Sequence, residues 1–259
     1  MKLNVNDDLG NRMKQYESAE TNRFLMRGLP TIVRIDGKNF HTYTRGFDRP
    51  FDHRMQEAMI ETTKRLIEET NAVIGYTQSD EITLILSDDR PILFEGRIFK
   101  LVSFLASFAT MVFNQTIYED KRYATFDCRV FQVPSRVEAV NCLIWREMDA
   151  VKNSVSALSQ KHFSHKQLQN MNTQQKKDML LEKGVVWDDL PDYFKRGSFI
   201  RKILVTRKFT PEEIEKLPPK HNARLNPDTE IIRSEMEVLN ISSYLKDIED
   251  RVGLVYNGE

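Results

Sequence analysis

The sequence of 259 residues predicts an α+β fold, in which an antiparallel sheet of order β-α-β-β-α-β packs against helices. Two observations predict it. Apolar runs of strand length occur at 31–35, 72–76, 82–86 and 126–133, and segments with helical periodicity separate them. A short polar stretch joins the two middle runs, as in a β-hairpin. Together these features describe the split βαβ sandwich, a palm-like fold.

Three helical segments connect or follow these strands. After Pro50, apolar side chains recur at intervals of four, three and four residues, which is the spacing of one helix face. Residues 101–118 carry no charge but contain six Ser, Thr, Asn or Gln side chains, so we expect a buried core helix rather than a membrane span. A capping-box pattern at 135–138 predicts a third helix that continues past Val155.

The remaining segments are less regular, and residues 1–30 are predicted to form an N-terminal helix and a turn. The tract 164–178, rich in Gln, Asn and Lys, predicts a loop or linker before a short helix that stops at Gly184. Another strand is expected at 198–205 and a final helix at 243–251. The charged, proline-punctuated stretch 206–235 supports no assignment.

Composition limits the function without identifying it. With 40% hydrophobic and 29% charged residues the chain can bury an ordinary core, and its 38 basic residues balance its 38 acidic ones. A nucleic-acid surface would therefore have to come from local basic clusters. Neither Cys128 nor Cys142 belongs to a pair motif, and the N-terminus lacks the apolar core of a signal peptide. We expect a cytoplasmic protein with no membrane partner.

Two acidic residues stand at the ends of strand-like runs. Asp36 directly follows the first run, and Asp80 lies in the predicted hairpin turn with Glu81 beside it. Asp36 and Asp80 are 80 − 36 = 44 residues apart, enough for a strand, a crossover helix and a return strand that pairs beside the first. Two carboxylates at one sheet edge can bind a divalent metal that holds phosphates. The alternative is that both are ordinary turn residues.

The residues after Asp36 favour a phosphate site. Gly37 lets a ligand approach the backbone closely and can offer its carbonyl oxygen to a metal. The next four residues, 38–41, supply side-chain donors and backbone amides, which predicts an anion-binding loop without a glycine-rich repeat.

Two further groups of polar residues are candidates for binding. Arg146, Asp149 and Asn153 fall at i, i+3 and i+7 and share one helix face, which is either a binding face or simply a solvated one. Lys195 and Arg196 follow two aromatic residues and form either a clamp for phosphate or RNA backbone or an ordinary basic turn. The spacing of the histidines does not predict a zinc site.

Taken together, these motifs resemble those of the tRNA-His guanylyltransferase family and its relatives, the 3′-to-5′ RNA polymerases. The matches stand in the family's order and cover about residues 25 to 200. They are 34–41, 78–81, 126–130, Trp145-Arg146 with Asp149 and Asn153, and Pro191 with 195–197.

The resemblance implies a polymerase/cyclase-like palm and a chemistry. In the family, the 3′-hydroxyl of a nucleotide attacks the activated 5′ end of a tRNA, with ATP and GTP or other nucleoside triphosphates as substrates. The resemblance implies two Mg²⁺ ions on Asp36, the Gly37 carbonyl and Asp80, and catalytic roles for Asp36, Asp80 and Glu81. It also implies a homo-oligomer, usually a tetramer. The residues implied to contact nucleotide are Asp36, Gly37, Lys38, Asn39, Phe40, His41, Ser79, Asp80 and Asn153, and those implied to contact RNA or phosphate are Arg129, Arg146, Lys195 and Arg196.

One run departs from the family pattern. Enzymes dedicated to tRNA-His carry His-Ile-Asn-Asn-Leu-Tyr-Asn where this chain reads Val-Lys-Asn-Ser-Val-Ser-Ala at 151–157, so only Asn153 is retained. This favours the like-protein branch, which repairs 5′-truncated tRNA by template-directed addition. Three alternatives stay open: a tRNA-His-specific guanylyltransferase, a palm-fold nucleotide cyclase or phosphohydrolase that does not act on RNA, and a tRNA-binding protein without catalysis.

The sequence also suggests a division of the chain. We expect a palm-like catalytic core at 1–135 and a helical and C-terminal extension at 136–259 that completes the catalytic unit.

Overall fold

In the residues that the structure describes, six strands and eleven α-helices make up the fold. The computed structural model describes residues 5–117, 122–226, 228–239, 241 and 243–256. The strands are β1 (Thr31–Gly37), β2 (Ala72–Gln78), β3 (Glu81–Leu86), β4 (Phe126–Gln132), β5 (Ser198–Lys208) and β6 (Glu230–Leu239). The longer helices are α1 (Val5–Thr21), α3 (His53–Thr70), α4 (Ile98–Thr116), α5 (Arg136–His162) and α7 (Thr173–Glu182). The short ones are α2 (Phe40–Tyr43), α6 (His165–Leu168), α8 (Asp192–Lys195), α9 (Pro211–Lys216), α10 (Asn222–Leu225) and α11 (Arg251–Tyr256).

The strands form one antiparallel sheet of order β4-β1-β3-β2-β5-β6. The unit β1-α3-β2-β3-α4-β4 confirms the predicted β-α-β-β-α-β order. One detail of the prediction was wrong. The strand that pairs beside β1 is β3, and β2, which returns from the crossover helix, lies one strand further out. The hairpin inserts β3 between the two parallel strands β1 and β2, because a two-residue turn can only deliver an antiparallel neighbour.

Helices cover both faces of the sheet. Helices α3 and α4 pack on one face, where Val33 and Ile35 of β1 join Leu66 and Phe113 in the larger core. Helix α5 and the C-terminal segment pack on the opposite face, in a core that includes Ile32. Alternate residues of β1 are therefore buried on opposite sides, as expected for a strand covered twice.

Side-chain hydrogen bonds cap the N-termini of two helices that flank the sheet. The Asp52 carboxylate accepts from the backbone amides of Arg54 and Met55 at the start of α3, and the Ser135 hydroxyl accepts from the Glu138 amide at the start of α5. In the described residues, α4 is the one helix whose length and composition would allow a membrane span. In this structure one face of α4 packs against α3 and β4.

Two predictions about the second half of the chain were wrong, and one stretch that had no assignment contains regular structure. The tract 164–178 contains α6 and the start of α7, because Ser164 and Asn172 each form a capping box and Leu180 of α7 is fully buried. The stretch 206–235 contains the end of β5, α9, α10 and the start of β6. The final α-helix covers Arg251–Tyr256, and the predicted range 243–251 contains only a one-turn 3-10 helix, Leu245–Asp247. Arg196 binds the Ser243 carbonyl and Glu147 accepts the Leu245 amide at the start of that range.

The proposed division at residue 135 stays a prediction. Strands β5 and β6, which come after it, extend the sheet of the preceding half: Thr77 of β2 pairs with Ser198 of β5, and Phe199 pairs with Leu239 of β6.

Candidate active site

The strand register brings three carboxylates to the same end of the sheet. Asp36, at the end of β1, lies directly opposite Glu81 at the start of β3 and directly opposite Asp127 near the start of β4. Directly paired residues of antiparallel strands project on the same face, and here that face is the one covered by α5. The three acidic groups therefore share one corner of the sheet.

A fourth carboxylate enters from the turn between β2 and β3. Ser79 adopts a left-handed conformation (φ 55°), which makes the two-residue turn possible, and its hydroxyl donates to the Asp80 carboxylate at 3.1 Å. The Gly37 amide donates to the Asp80 carbonyl at 3.0 Å. This bond ties the hairpin turn to the end of β1, so that Asp36, Gly37 and Asp80 meet as predicted.

The clustering raises the pKa values of the two predicted metal ligands. Burial, followed by the neighbouring Glu81 and Asp127 carboxylates, raises the pKa of Asp36. Burial raises the pKa of Asp80 to about 6, and the nearby Asp36 and Glu81 carboxylates add to the effect. Unfavourable negative charge thus accumulates at this corner, which is the electrostatic condition for binding a cation.

Glu81 is fixed by two guanidinium groups. Arg146 on α5 donates to its carboxylate at 2.6 Å, and Arg34 on β1 donates to it at 3.3 Å. The side chains of Arg146 and Glu81 are only 10% and 15% exposed, so this is a largely buried ion pair. Asp149 accepts a further contact from Arg146 at 3.2 Å. Glu81 is thereby compensated, whereas no such cation contacts Asp80 in the described residues.

Two adjoining cavities open at this corner. A cavity of about 330 Å³ is lined by Asp80, Glu81, Arg146 and Asn153, together with residues of α3 and α8. A second cavity, of about 590 Å³, is lined by Gly37, Asn39, Phe40 and His41 and shares Ser79 and Asp80 with the first. Asp80 therefore stands at the junction of two spaces.

The loop after Gly37 is placed partly as expected. Asn39, in a left-handed conformation, and His41 are exposed toward the larger cavity. The Lys38 amide already donates to the Thr125 carbonyl at 2.8 Å, so it is not available to an anion. The Phe40 ring is 5% exposed and packs against aromatic rings of α4 and β4, so its side chain belongs to the core.

The four predicted RNA-contacting residues separate into two groups. Arg129 is exposed on β4 beside Asp127, and Arg146 lines the smaller cavity while it holds Glu81. The structure does not bring Lys195 and Arg196 to either cavity among the described lining residues. Lys195 donates to the Asp188 carbonyl at 2.6 Å, and the buried Arg196 donates to the carbonyls of Ile241 and Ser243 at 2.7 Å each. These hydrogen bonds hold both cationic groups inside the fold, because cations shielded from water need partners within the protein.

Asp127 is the acidic residue at this corner that the sequence reasoning left out of the site. The sequence does contain an indication of this role, because Asp127 directly follows Phe126, the first residue of a predicted strand. What the sequence lacked was the pairing of β4 with β1, which sets Asp127 opposite Asp36.

The oxygen ligands at this corner fit a magnesium ion whose remaining ligands come from the substrate. Asp36, Asp80 and the Gly37 carbonyl would supply hard oxygen ligands, and burial together with neighbouring carboxylates raises the pKa of both acids, an environment that a bound cation would relieve. In the described residues no group of three or more His, Cys, Asp or Glu side chains is arranged as a complete metal site. Magnesium sites that handle nucleotides typically use one or two carboxylates, with phosphate oxygens and water as the other ligands.

Comparison with known proteins agrees with this geometry. A family model described as tRNAHis guanylyltransferase (Thg1) matches residues 10–134. A bacterial tRNA(His) guanylyltransferase (Thg1)-like protein in complex with ATP superimposes with a TM-score of 0.72 and 44% identity, over 74% of this chain and 88% of that one. A second such structure, in complex with GTP, gives a TM-score of 0.74 and 34% identity over 96% and 99%. The uncharacterized protein R259 of Acanthamoeba polyphaga mimivirus is 31% identical over 78% of this chain and 79% of its own. With its palm-like sheet and its paired carboxylates, the chain belongs to the tRNAHis guanylyltransferase (Thg1) family.

Proposed function

We propose that this protein is a magnesium-dependent, template-directed 3′-to-5′ nucleotidyltransferase that adds nucleotides to the 5′ ends of truncated tRNA. Membership of the family carries the coarser part, a nucleotidyltransferase of tRNA. The observation that carries the proposal furthest is the corner at which Asp36, Gly37 and Asp80 meet, because Asp80 lines two adjoining cavities and Gly37 lines the larger one. A reaction that joins a nucleotide to a polynucleotide end needs room for both beside one phosphate-handling group.

The chain's own residues divide the work. Asp36, the Gly37 carbonyl and Asp80 would hold Mg²⁺, which, when bound, neutralises triphosphate charge and lowers the pKa of a coordinated hydroxyl. Glu81 is held in place by Arg34 and Arg146, so its carboxylate has a fixed position opposite Asp36. The exposed Asn39 and His41 side chains face the larger cavity, where triphosphate oxygens need donors.

The departure from the guanylyltransferase motif supports repair over a single dedicated addition. The run 151–157 lies on α5, where Asn153, Ser154 and Ala157 line the smaller cavity and Val155 is buried. On this wall, Ser154 and Ala157 stand where the dedicated motif has two asparagines, so two of its three positions from the run carry smaller side chains. A wall of small side chains fits selection of the nucleotide by base pairing with the opposite tRNA strand. ATP, GTP and other nucleoside triphosphates are the substrates in this proposal, and the protein is a cytoplasmic homotetramer.

The deciding experiment is nucleotide addition to a panel of 5′-truncated tRNAs, each with a 5′-mono- or 5′-triphosphate end, in the presence of each nucleoside triphosphate singly. The expected product is longer by the nucleotide complementary to the opposing base, and changing that base changes the nucleotide added. Addition of G whatever the opposing base would assign the protein to tRNA-His-specific guanylylation. A cyclic nucleotide or free phosphate without tRNA extension would overturn the proposal in favour of a cyclase or phosphohydrolase. Binding of tRNA without any extension would leave a binding protein.

A further inference from the structure

Trp145 is half exposed at the edge of the candidate active site. Its side chain on α5 is 51% exposed, whereas Trp187, the other tryptophan, is 4% exposed. The packing of α5 on the sheet does not use this ring, since the α5 residues in that core include Ala139 and Leu143. Trp145 is not among the described residues that line the two cavities. Trp145 therefore presents an open aromatic surface beside the candidate active site.

The ring is held in place by the residues that orient Glu81. The guanidinium carbons of Arg34 and Arg146 lie 5.0 and 4.6 Å from the centre of the Trp145 ring, within cation–π distance. Both guanidinium groups also donate to the Glu81 carboxylate. The orientation of Trp145 is therefore coupled to the carboxylate that stands opposite Asp36.

An exposed arginine lies on the same face of the sheet. Arg129 of β4 is the direct register partner of Arg34, which lies at the Trp145 ring, so its side chain projects toward the α5 side of the sheet. The Arg129 side chain is 57% exposed, and its contact with Asp127 is long, at 3.6 Å. An exposed aromatic ring and an exposed arginine thus lie on the same side of the sheet, next to the strand that carries Asp36.

We propose that Trp145 stacks on a base of the tRNA next to the 5′ end that reacts, and that Arg129 contacts the adjacent backbone phosphate. This inference rests on the proposed function and extends it to the docking of the RNA. Arg34, under the ring, is two residues from Asp36, which is about 7 Å along a strand and close to the spacing of neighbouring nucleotides. An open aromatic–arginine surface suits a polynucleotide, while the enclosed cavities suit the free nucleotide.

The first test is fluorescence titration with a 5′-truncated, 5′-monophosphorylated tRNA in the absence of nucleotide. The exposed Trp145 dominates the long-wavelength emission, and base stacking should quench it. Trp145→Phe, which keeps an aromatic ring, should retain tRNA affinity but lose the quenching, because only the buried Trp187 still emits. Unchanged emission of the wild-type protein at saturating tRNA would overturn the proposal.

The second test is the equilibrium affinity of variants for the same tRNA. Trp145→Ala should raise the Kd by about 5- to 100-fold, the range found for loss of one base–aromatic stack, with the KM for the nucleoside triphosphate unchanged. Arg129→Gln should raise the Kd several-fold and reduce its dependence on salt. Val137→Ala, at an exposed position two helical turns earlier on α5, is the matched control and should change neither.

The outcomes separate this inference from the proposed function. Extension of tRNA by wild-type protein, together with an unchanged Kd for Trp145→Ala, overturns the stacking role alone. A rise in the nucleotide KM with the tRNA Kd unchanged assigns the ring to nucleotide binding and also overturns it. Failure of the wild-type protein to bind or extend tRNA overturns both.

Discussion

The aromatic ring of Phe40 lies over Gly37, so close that a Cβ atom on Gly37 would clash with the Phe40 Cδ2 atom. The sequence pattern explains this glycine by the approach of a ligand. The structure gives a second reason, since the ring of a core residue occupies the space beside it. The backbone that carries Asp36 and the Gly37 carbonyl is thus pressed against the aromatic cluster of Phe40, Phe113 and Phe126.

Gly37→Ala is therefore expected to damage both stability and activity. Overpacking of this kind costs about 1–3 kcal/mol, and movement of the ring would displace the Asp36 backbone from the hairpin turn. Chemical unfolding and nucleotide-addition rates measure the two effects. Gly10→Ala, in α1 with nothing within 4 Å of its added methyl group, is the control and should leave activity unchanged. Wild-type activity of Gly37→Ala would contradict the close fit.

Asp36→Asn and Asp80→Asn should each abolish catalysis without unfolding the protein. Loss of a metal ligand should lower the rate of nucleotide addition more than about 100-fold, because even the outer partners of such ligands are worth about 10- to 100-fold. Burial and like charges raise the pKa of both carboxylates, so the ionised form of each destabilises the folded state. Removing either charge should therefore not lower the thermal unfolding temperature at pH 7. The tRNA Kd should also be retained. Asp8→Asn, an exposed substitution on α1, is the control. Near-normal rates in both site variants would sink the metal assignment.

Arg146→Met should destabilise the protein far more than Arg129→Met. Arg146 is largely buried with Glu81, and removing one partner of a buried ion pair costs about 3 kcal/mol or more. The Arg129–Asp127 pair is more than half exposed on both sides, and such pairs contribute about 0–1 kcal/mol. Urea unfolding of both variants and of the double variant Glu81→Gln/Arg146→Met provides the measurement. The double variant should recover part of the loss, because no uncompensated carboxylate is then left behind. Equal destabilisation by the two arginine variants would argue against the buried pair.

Glu147 should make the folding stability dependent on pH. Burial raises the pKa of this carboxyl from 4.5 to about 6, although its carboxylate accepts the Leu245 amide at 2.8 Å and Arg196 is nearby. The folded state therefore binds the proton more tightly than the unfolded chain, so the contribution of this group is fully present below pH 4.5 and is lost as the pH rises through 6. Glu147→Gln removes that dependence. The difference in unfolding free energy between the variant and the wild type should shift by up to about 2 kcal/mol in favour of the variant between pH 4.5 and 7. Parallel stability curves for the two proteins would contradict the shift.

Local patterns in the sequence determine much of this fold. The hairpin turn at Ser79 and Asp80 and the capped start of α5 at Ser135 depend on neighbouring residues, so they can be predicted from the chain alone. The meeting of Asp36 with Asp80 also follows, because the βαββ order brings the end of β1 and the hairpin turn to one edge. The polar composition of the tract before Leu180 predicts a linker. The tract nevertheless contains two capping boxes, and each of them starts a helix.

Only the tertiary structure decides what each charged or aromatic side chain does. Lys195 and Arg196 form a basic motif that is typical of phosphate binding. In the structure, however, the C-terminal segment packs against Arg196, and the guanidinium group donates to the backbone carbonyls of Ile241 and Ser243. Asp127 joins the carboxylate corner through the pairing of β4 with β1, and Trp145 is left exposed over Arg34 by the way in which α5 crosses the sheet. The residues in these relations are 45 to 111 positions apart in the sequence. Their geometry is set by strand register and helix packing across the whole sheet, which no local pattern encodes.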